Sequence, residues 1–387
     1  MKKILIVNNN LDIGGIQKSL VNLLNEISGK YDIDLLLFNN SGALTDSLPK
    51  NIRVIDGGFW CKIMGMTYAE AKAKGILYHA ARFFWTAVTR AFGIGVAFNA
   101  ITAMTRLHGR YDAAISFMQN NADKVFYGGC AEFVLNSVKS DLKICFIHCD
   151  FANYGGNTAY NRKTLMRFDR IAAVSHSVAR RLADAVPELA DKIFVVHNCF
   201  DFGSIERLGG EYEAQYIPGA ANLFSAARLH SEKGILRMMP ILGRLKKDGL
   251  NFVWRIAGDG PDRAEAERLI AGQDLGGSVV LLGNLVNPYP YFKKSDLVLV
   301  PSYNEAAPMV YGEAAFFGTR VFTTDTTSAR ELIEDKKLGI VCRNDDESIE
   351  KALRDAIEKI EHGEMPHCGT VRLDNSLALS EFDCLVQ

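Results

Sequence analysis

The sequence predicts an α/β protein built from two doubly wound domains with parallel sheets. At 387 residues the chain exceeds the roughly 250 to 300 residues at which single hydrophobic cores stop growing. Short apolar runs, typical of buried parallel strands, alternate with helical patterns in both halves. A polar, glycine-rich stretch over residues 202–221 separates the halves and indicates a linker.

The first predicted domain spans residues 1–200. It opens with the apolar strand KILIV, followed by the turn-rich NNNLDIGG and the helical pattern IQKSLVNLLNEI. Six further apolar runs predict strands, at residues 33–38, 53–55, 113–117, 143–148, 170–174 and 193–196. Strand and helix in this alternation begin a doubly wound sheet.

The second predicted domain spans residues 201–375. Strands are predicted at residues 222–226, 252–257, 279–282, 297–300 and 320–323. Helices are predicted at residues 234–247, 261–271 and 308–317. Beyond about residue 348 the pattern predicts little. Two comparable domains of this kind create a cleft in which the strand ends of both can face one ligand.

Residues 57–110 depart from this alternation, because they are rich in aromatic and basic side chains. On a helical wheel one face is apolar (Ile76, Leu77, Ala80, Phe83, Phe84, Ala87 and Val88) and another is basic (Lys72, His79, Arg82 and Arg90). Two interpretations follow. The segment lies on an anionic membrane surface, or its apolar face packs on the first domain while its charges are solvated.

Composition excludes several classes of protein. A formal net charge of −1 gives no basic excess for binding nucleic acid. Eight scattered cysteines do not form a disulfide framework, and MKKILIVNNN lacks the apolar run of a signal peptide. The longest apolar stretch, residues 91–105, is too short to span a bilayer. We therefore expect a cytoplasmic protein, with peripheral contact at the inner face of the cell membrane as an option.

Two carboxylates follow the apolar run SDLVLV, in the segment PSYNEAAPMVYGEAAFFGTRV. If a helix begins near Pro308, Glu305 lies in the loop at the carboxyl end of the strand and Glu313 points inward about a turn and a half later. Both acids then border one crevice, beside a helix N-terminus whose free N–H groups suit a phosphate.

Basic and glycine-rich loops follow the first strand of each predicted domain. In SAARLHSEKG, Arg228 and Lys233 could neutralise a diphosphate without a metal, although a solvated basic loop has the same composition. In the first domain, Gly14 and Gly15 allow close backbone approach to a phosphate or sugar. A simple tight turn is the competing interpretation.

His148 ends the apolar strand KICFIHCDF, so it is expected to face the cleft, where it could bind a sugar hydroxyl or stabilise developing charge. A structural histidine is the alternative. A zinc site from Cys145, His148, Cys149 and Asp150 is disfavoured, because no second Cys or His pair accompanies it. The Asp32-Ile33-Asp34 triplet resembles a metal-binding Asp-x-Asp, but its place at a strand start predicts a solvated pair.

Together these motifs resemble the large family 4 of retaining glycosyltransferases, which have the GT-B architecture of two facing Rossmann-like domains. The matching segments are GGIQKSL, His148, VVHNCFD, ARLHSEKG, RIAGDGPDR, VVLLGN, SDLVLVPSYNEAAPMVYGEAAFFGTRV and SARELI. They extend over nearly the whole chain. The family's aromatic-rich Gly-Phe-Gly is replaced by Ala306-Ala307-Pro308, and a usual glycine is replaced by Cys199.

The resemblance implies roles for individual residues. Arg228 and Lys233 correspond to the diphosphate clamp, Glu305 to a contact with the donor sugar, and Glu313 to a contact with the ribose hydroxyls. The remaining positions correspond to backbone contacts with the donor (Gly14, Gly15, Gly258, Ala307, Pro308, Met309 and Val310) or to the histidine near the donor sugar (His148). A last helix at residues 376–387 is implied to cross back to the first domain.

The residues predict metal-independent sugar transfer, and the resemblance implies a retaining hexosyltransferase without a cofactor. Its co-substrate is expected to be a UDP-sugar and its acceptor a glycan or polyprenol-linked glycan, as in assembly of capsule, exopolysaccharide or lipopolysaccharide. Residues 1–200 are expected to bind the acceptor and residues 201–375 the donor. The alternatives are a nucleotide-sugar epimerase of GT-B fold and a non-catalytic nucleotide-sugar binding protein. A nicotinamide-dependent dehydrogenase is disfavoured, since a third glycine is missing and no acid ends the second strand.

Overall fold

Residues 1–120, 125–369 and 373–387 are described by the computed structural model, in which the chain divides into two units. Unit 1 comprises Met1–Phe200 and Asn375–Gln387, and unit 2 comprises Asp201–Asp374. Each contains one parallel sheet. The strands are β1 Lys3–Asn8, β2 Asp32–Leu37, β3 Arg53–Asp56, β4 Tyr111–Ser116, β5 Ser140–Ile147, β6 Arg170–Ala173, β7 Ile193–Val195, β8 Ala221–Ala226, β9 Phe252–Ala257, β10 Val279–Gly283, β11 Leu297–Val300, β12 Arg320–Thr324 and β13 Gly339–Cys342.

Helices connect these strands. They are α1 Gly15–Ile27, α2 Gly58–Gly65, α3 Tyr68–Lys74, α4 Ile76–Phe92, α5 Ile94–Ala103, α6 Cys130–Ser137, α7 Ala159–Met166, α8 His176–Ala185, α9 Phe202–Gly209, α10 Ile235–Lys247, α11 Arg263–Gly272, α12 Tyr289–Lys294, α13 Met309–Phe316, α14 Asp346–Glu361 and α15 Ser376–Val386. Within the described ranges, every helix is too short or too polar to span a bilayer.

Both sheets have the Rossmann-like order. The order is β3-β2-β1-β4-β5-β6-β7 in unit 1 and β10-β9-β8-β11-β12-β13 in unit 2, and the pairs are parallel. The direction of strand addition reverses between β1 and β4, and again between β8 and β11. Loops at the carboxyl ends of such neighbouring strands form the usual ligand site of an open α/β sheet.

The core of each unit follows from the apolar runs. Both faces of a parallel sheet are covered by helices, so β1 and β11 are buried along nearly their whole length. In unit 2 the largest fully buried side chain is Trp254, whose indole N–H donates to Ser225 Oγ at 3.0 Å. That bond satisfies the one polar group of an otherwise apolar side chain.

The interpretation of residues 202–221 as a linker is wrong for its first part. Residues Phe202–Gly209 form α9, whose N-terminus is capped by the Asp201 carboxylate, which accepts from Ser204 N at 2.9 Å. Phe202 stacks on Phe316 of the same unit, with ring centroids 5.5 Å apart. Strand β13 and helix α14 were also absent from the sequence prediction.

Helix α4 has its apolar face on the outside. Ile76, Leu77, Phe83 and Phe84 are 87%, 66%, 63% and 57% exposed, whereas Arg82 and Thr89 on the opposite face are buried. The idea that the apolar face packs on the first domain is therefore wrong for this helix. We call the set of exposed side chains Ile76, Leu77, Phe83, Phe84 and Phe92 the α4 apolar face.

Arg82 shows why α4 is oriented in this way. Its guanidinium donates to the carbonyl of Ile63 at 2.6 Å and to that of Phe126, and it lies 4.8 Å from the Phe126 ring centroid. Burial lowers the pKa of Arg82 to about 10. Arg82 therefore ties α4 to α2 and to the segment that precedes α6, and its assignment to a solvated basic face is wrong.

Helix α15 completes the core of unit 1, although it follows unit 2 in the chain. Phe382, Leu385 and Val386 are buried in the same cluster as residues of β1, β2 and α1. At its edge, Tyr31 Oη donates to Asp383 Oδ1 at 2.7 Å, and Arg170 donates to the Leu385 carbonyl at 2.7 Å. Unit 1 is therefore complete only after the last residues of the chain have folded onto it.

We expect Phe382→Ala to destabilise unit 1 by about 3–5 kcal/mol, because it removes a fully buried aromatic ring and leaves a cavity. Leu377→Ala, in the same helix but 59% exposed, should cost less than about 0.5 kcal/mol. Hydrogen exchange of peptides from β1 and α1 measures the destabilisation of unit 1 in each variant. Equal protection in the two variants would contradict the role assigned to α15.

Candidate functional site

The loops after β8 and β11 meet at the point in unit 2 where the strand order reverses. Gly234 has φ +66°, and a Cβ on it would lie 2.0 Å from the Pro301 carbonyl oxygen. Tyr303 N also donates to Glu232 O at 2.9 Å. Glycine is required here because only its backbone fits between the loops.

Lys233 and Glu305 are brought together by this contact. Lys233 Nζ lies 2.7 Å from Glu305 Oε1, and Ser302 Oγ donates to the same oxygen at 2.9 Å. Only 20% of the Lys233 side chain and 13% of the Glu305 side chain are exposed. Among the described residues none donates to Glu305 Oε2. A largely enclosed cation thus lies beside a carboxylate that retains an oxygen for a further donor.

Arg228 occupies the outer part of the same loop. Its guanidinium lies 3.0 Å from Glu232 Oε1, and 69% of its side chain is exposed. An exposed ion pair of this kind contributes little to stability. Arg228 therefore lies in the same loop as Lys233, and its guanidinium remains accessible to an anion.

Gly258, just after β9, lies against the loop that carries Arg228. Its φ is +144°, its N–H donates to the Gly283 carbonyl at 2.7 Å, and a Cβ would lie 1.9 Å from the Ala227 carbonyl oxygen. Packing alone therefore accounts for glycine at this position.

The loop containing Glu305 leads directly into α13. Pro308 is extended, with φ −67° and ψ 134°, and no side chain caps the helix. The backbone N–H groups of Met309 and Val310 belong to the first turn, where N–H groups lack intrahelical acceptors. Ala307 and Pro308 lead into that turn, so the prediction of a helix beginning near Pro308 matches the structure within one residue.

Several residues that support this loop were not found from the sequence. Thr324 Oγ1 donates to the Ser302 carbonyl at 2.5 Å, Thr327 N donates to the Glu305 carbonyl at 3.2 Å, and Asn344 Nδ2 donates to the Tyr303 carbonyl at 3.0 Å. They come from β12, the segment after it and the segment before α14. No sequence spacing connects them, so only the fold identifies them.

Glu313 is 4% exposed in the middle of α13 and points inward, as predicted. Tyr289 Oη at the start of α12 lies 3.4 Å from Glu313 Oε1. Tyr289, which is 6% exposed, is a further residue that the sequence did not single out. The two acids therefore differ in environment, since Glu305 contacts a cation and Glu313 contacts a phenol.

In unit 1, Gly14 and Gly15 lie at the start of α1. Gly14 is the N-cap residue and makes no side-chain cap, and a Cβ on Gly15 would meet no described atom within 4 Å. A Cβ on Gly14 would lie 2.5 Å from Gln17 Oε1. Within the described part of the chain, the N-terminus of α1 therefore lacks a side-chain cap and has open space beside Gly15.

His148 follows β5 and is enclosed by aromatic rings. The ring centroids of Phe117 and Phe146 lie 4.7 and 5.7 Å from that of His148, and Gln119 Oε1 accepts from His148 N at 3.0 Å. Burial lowers the pKa of His148 to about 3, although a backbone hydrogen bond involving Phe117 opposes the shift. At neutral pH the imidazole is uncharged. His148 Nε2 is buried without a hydrogen-bond partner in the described part of the chain.

Two other sequence motifs have structural explanations. Asp150, part of the disfavoured zinc set, accepts from Asn153 Nδ2 at 2.9 Å and pairs with Arg181 at 3.0 Å. In the described residues the zinc set does not converge. Asp34 is 2% exposed and accepts from Arg53 and, at 2.7 Å, from Tyr111 Oη, so its prediction as a solvated residue is wrong.

We expect His148 to make stability depend on pH. Because its pKa is about 3 when folded and about 6.5 when unfolded, the unfolded state binds more protons between these values, and stability falls as the pH falls below 6.5. Between pH 7 and pH 5 the wild type should lose up to about 2 kcal/mol more free energy of unfolding than His148→Asn. Denaturant titrations at both pH values measure the difference. An equal loss of free energy of unfolding in the wild type and in His148→Asn would contradict this expectation.

Known proteins resemble this chain in sequence over part of its length and in fold over nearly all of it. Residues 217–367, all in unit 2, match the family model of glycosyl transferases group 1. The chain is 30% identical over 117 residues to the putative glycosyltransferase EpsF of Bacillus subtilis, a match that spans 30% of each chain. It is 23% identical over 362 residues to an α-1,4-N-acetyl-D-galactosaminyltransferase of Campylobacter jejuni, covering 90% of this chain and 86% of the relative.

Among solved structures, Anabaena HepE in complex with UDP and glucose has a TM-score of 0.68 at 15% identity, covering 99% of this chain and 98% of that protein. At this identity the likeness concerns the fold. The prediction of two Rossmann-like domains of GT-B type is confirmed. The resemblance found in the sequence agrees with the family-model match, which lies within unit 2.

Proposed function

We propose that the chain is a glycosyltransferase that moves a sugar from a nucleotide diphosphate donor to a hydroxyl of a glycan or lipid-linked glycan. The observation that carries the proposal is the pair of Lys233 and Glu305, 2.7 Å apart at the strand reversal of unit 2. The cation of Lys233 suits the anionic end of a ligand, and the carboxylate of Glu305 suits an end that is rich in hydroxyl groups.

The diphosphate is proposed to lie between Lys233 and Arg228. Lys233 has three N–H donors, so it can contact a phosphate oxygen while keeping its bond to Glu305. Arg228 lies in the same loop with an exposed guanidinium that can bind phosphate through two N–H groups. Two fixed cations neutralise the charge that develops on a departing diphosphate, so no metal is required in this proposal.

The sugar is proposed to contact Glu305. Oε1 already accepts from Lys233 and Ser302, which fixes the carboxylate, and Oε2 is then available for a sugar hydroxyl. Glu313 is proposed to accept from the ribose hydroxyls. Backbone N–H groups of Ala307, Met309 and Val310 are proposed to donate to the phosphates, where the positive end of α13 favours an anion. The main chain of Pro308 and Gly258, which offers no free N–H, is proposed to lie alongside them.

Transfer requires one bond to break and one to form. The bond between the anomeric carbon and the diphosphate oxygen breaks, and its electron pair stays on that oxygen. The acceptor oxygen bonds to the anomeric carbon, and its proton passes to the leaving diphosphate. Attack from the same face retains the anomeric configuration. This course suits a site whose fixed charges stabilise the leaving group.

Unit 1 is proposed to contribute Gly14, Gly15 and His148, and to bind the acceptor. With a pKa of about 3, His148 is uncharged at neutral pH and can act only as a hydrogen-bonding imidazole. Its role is therefore proposed to be contact with a sugar hydroxyl and not charge stabilisation.

Named relatives support the substrate classes. The HepE structure contains UDP and glucose, and the Campylobacter relative is named for an undecaprenol-diphosphate-linked acceptor. We propose a UDP-sugar donor and a polyprenol-linked or free glycan acceptor, in the synthesis of a surface polysaccharide.

We expect Lys233→Ala and Glu305→Gln each to lower kcat/KM by about 10²-fold or more, because each removes a charged contact made at the reacting end of the donor. Arg268→Ala and Glu265→Gln alter an exposed ion pair of the same unit and should leave kcat/KM within about twofold. Release of UDP with a screened acceptor measures all four.

The same assay separates the rival functions. Near-normal transfer in both Lys233→Ala and Glu305→Gln would contradict the proposed site. Turnover of the donor without any acceptor would favour the epimerase. Donor binding without turnover, detected as a rise in Tm, would favour a binding protein.

The α4 apolar face is proposed to contact an anionic membrane surface. Five large apolar side chains of α4 are more than half exposed, and the contacts of Arg82 fix the opposite face, so α4 cannot rotate to bury them without losing these contacts. Exposed cations lie beside them in sequence at Lys72, Lys74 and Arg90. This combination favours a surface that is both apolar and negatively charged.

Replacing Phe83 and Phe84 together by serine should weaken vesicle binding at least about tenfold, because two aromatic rings lose their apolar contact. Flotation with vesicles containing phosphatidylglycerol measures the bound fraction. Val286→Ser, which alters an exposed apolar residue of unit 2, should bind like the wild type. Failure of the wild type to float, with activity kept on soluble acceptors, would contradict membrane contact.

A further inference from the structure

Three potential metal ligands meet in unit 1, away from Lys233 and Glu305. His176 is the first residue of α8, His197 follows β7, and Glu381 lies in α15. One ligand atom from each lies within 4.8 Å of the others, and no other such group of three occurs in residues 1–120, 125–369 and 373–387. From this geometry we propose that His176, His197 and Glu381 bind one divalent cation of the zinc class.

The contact between His197 and Glu381 is a hydrogen bond whose length is within about 0.5 Å of the separation of two zinc ligands. His197 Nδ1 lies 3.0 Å from Oε1 and 2.9 Å from Oε2 of Glu381, while His197 N donates to Oε2 at 3.0 Å. Ligands held about 2.0–2.2 Å from zinc in a tetrahedron are separated by about 3.4 Å. The ion can therefore replace the proton between Nδ1 and Oε1, while Oε2 keeps the backbone bond that orients the carboxylate.

His176 supplies the third ligand. Its ring centroid lies 5.6 Å from that of His197, with the planes at 64°. His176 is exposed, so a side-chain rotation can bring its ring nitrogen from within 4.8 Å to bonding distance. Two imidazoles and a carboxylate suit zinc and similar borderline cations, and a fourth position remains for water.

The site would connect α15 to the carboxyl edge of the unit 1 sheet. The main-chain N–H and C=O of Phe200 bond to the Asn375 side chain at 3.0 and 2.8 Å, so the chain is already fastened where it leaves unit 1 and where it returns. Glu381 lies six residues further along, somewhat less than two helical turns. A bound ion would add a second contact that holds α15 against the rest of unit 1. This structural role is separate from the proposed transfer.

Metal titration of the untagged chain tests the proposal. We expect one Zn²⁺ per chain and a rise in Tm on its addition, because the ion binds the folded state. His176→Asn, which alters an exposed side chain, should weaken binding at least tenfold with little change in metal-free Tm. Glu381→Gln should also weaken binding, and His108→Asn, an exposed histidine of the same unit, should not.

Cysteine is the competing ligand, because Cys384 is exposed in the same helix. Co²⁺ bound by the proposed residues should give d–d absorption without a thiolate charge-transfer band, and Cys384→Ser should bind it like the wild type. Loss of binding in Cys384→Ser with retention in His176→Asn would overturn the proposal, as would the absence of stoichiometric binding. None of these readouts depends on transferase activity.

Discussion

The contact between the loops after β8 and β11 is the constraint on which the candidate site depends. Gly234 passes so close to the Pro301 carbonyl that no side chain fits, and this brings Lys233 within 2.7 Å of Glu305. A cation and a carboxylate separated by 72 residues in sequence thereby become one unit. Neither loop could hold its charged side chain in a largely enclosed position alone, because an isolated buried charge is strongly unfavourable.

A buried charge with fixed partners also determines how α4 is oriented in unit 1. Arg82 is held by two main-chain carbonyls and an aromatic ring, so the polar side of α4 faces inward. The apolar side is exposed as a consequence. An amphipathic pattern alone is compatible with either orientation. The main-chain carbonyls of Ile63 and Phe126 accept from Arg82, and this contact decides which side of α4 faces inward. The opposite side is left as an exposed apolar surface, which suits the proposed membrane contact.

The last helix shows how distant parts of the chain share one core. Phe382 and Leu385 fill space beside β1 and α1, and polar contacts from Tyr31 and Arg170 fix the helix at its edge. The same docking brings Glu381 to His197 and so creates the proposed metal site. In the proposed transfer site, fixed cations carry out the charge stabilisation, whereas in unit 1 a cation would stabilise the position of a helix.

The sequence by itself determined the alternation of strands and helices, both Rossmann-like domains and the segments that carry Arg228, Lys233, Glu305 and Glu313. Buried strands and helix starts leave local patterns of apolar, glycine and proline residues, so they can be predicted. It could not predict α9, β13, the orientation of α4, the burial of Asp34, or the support of the Glu305 loop by Thr324 and Asn344. These depend on which distant groups meet, and only the tertiary structure decided that. Only the tertiary structure likewise brings His176, His197 and Glu381 together, because they lie on three separate segments of the chain.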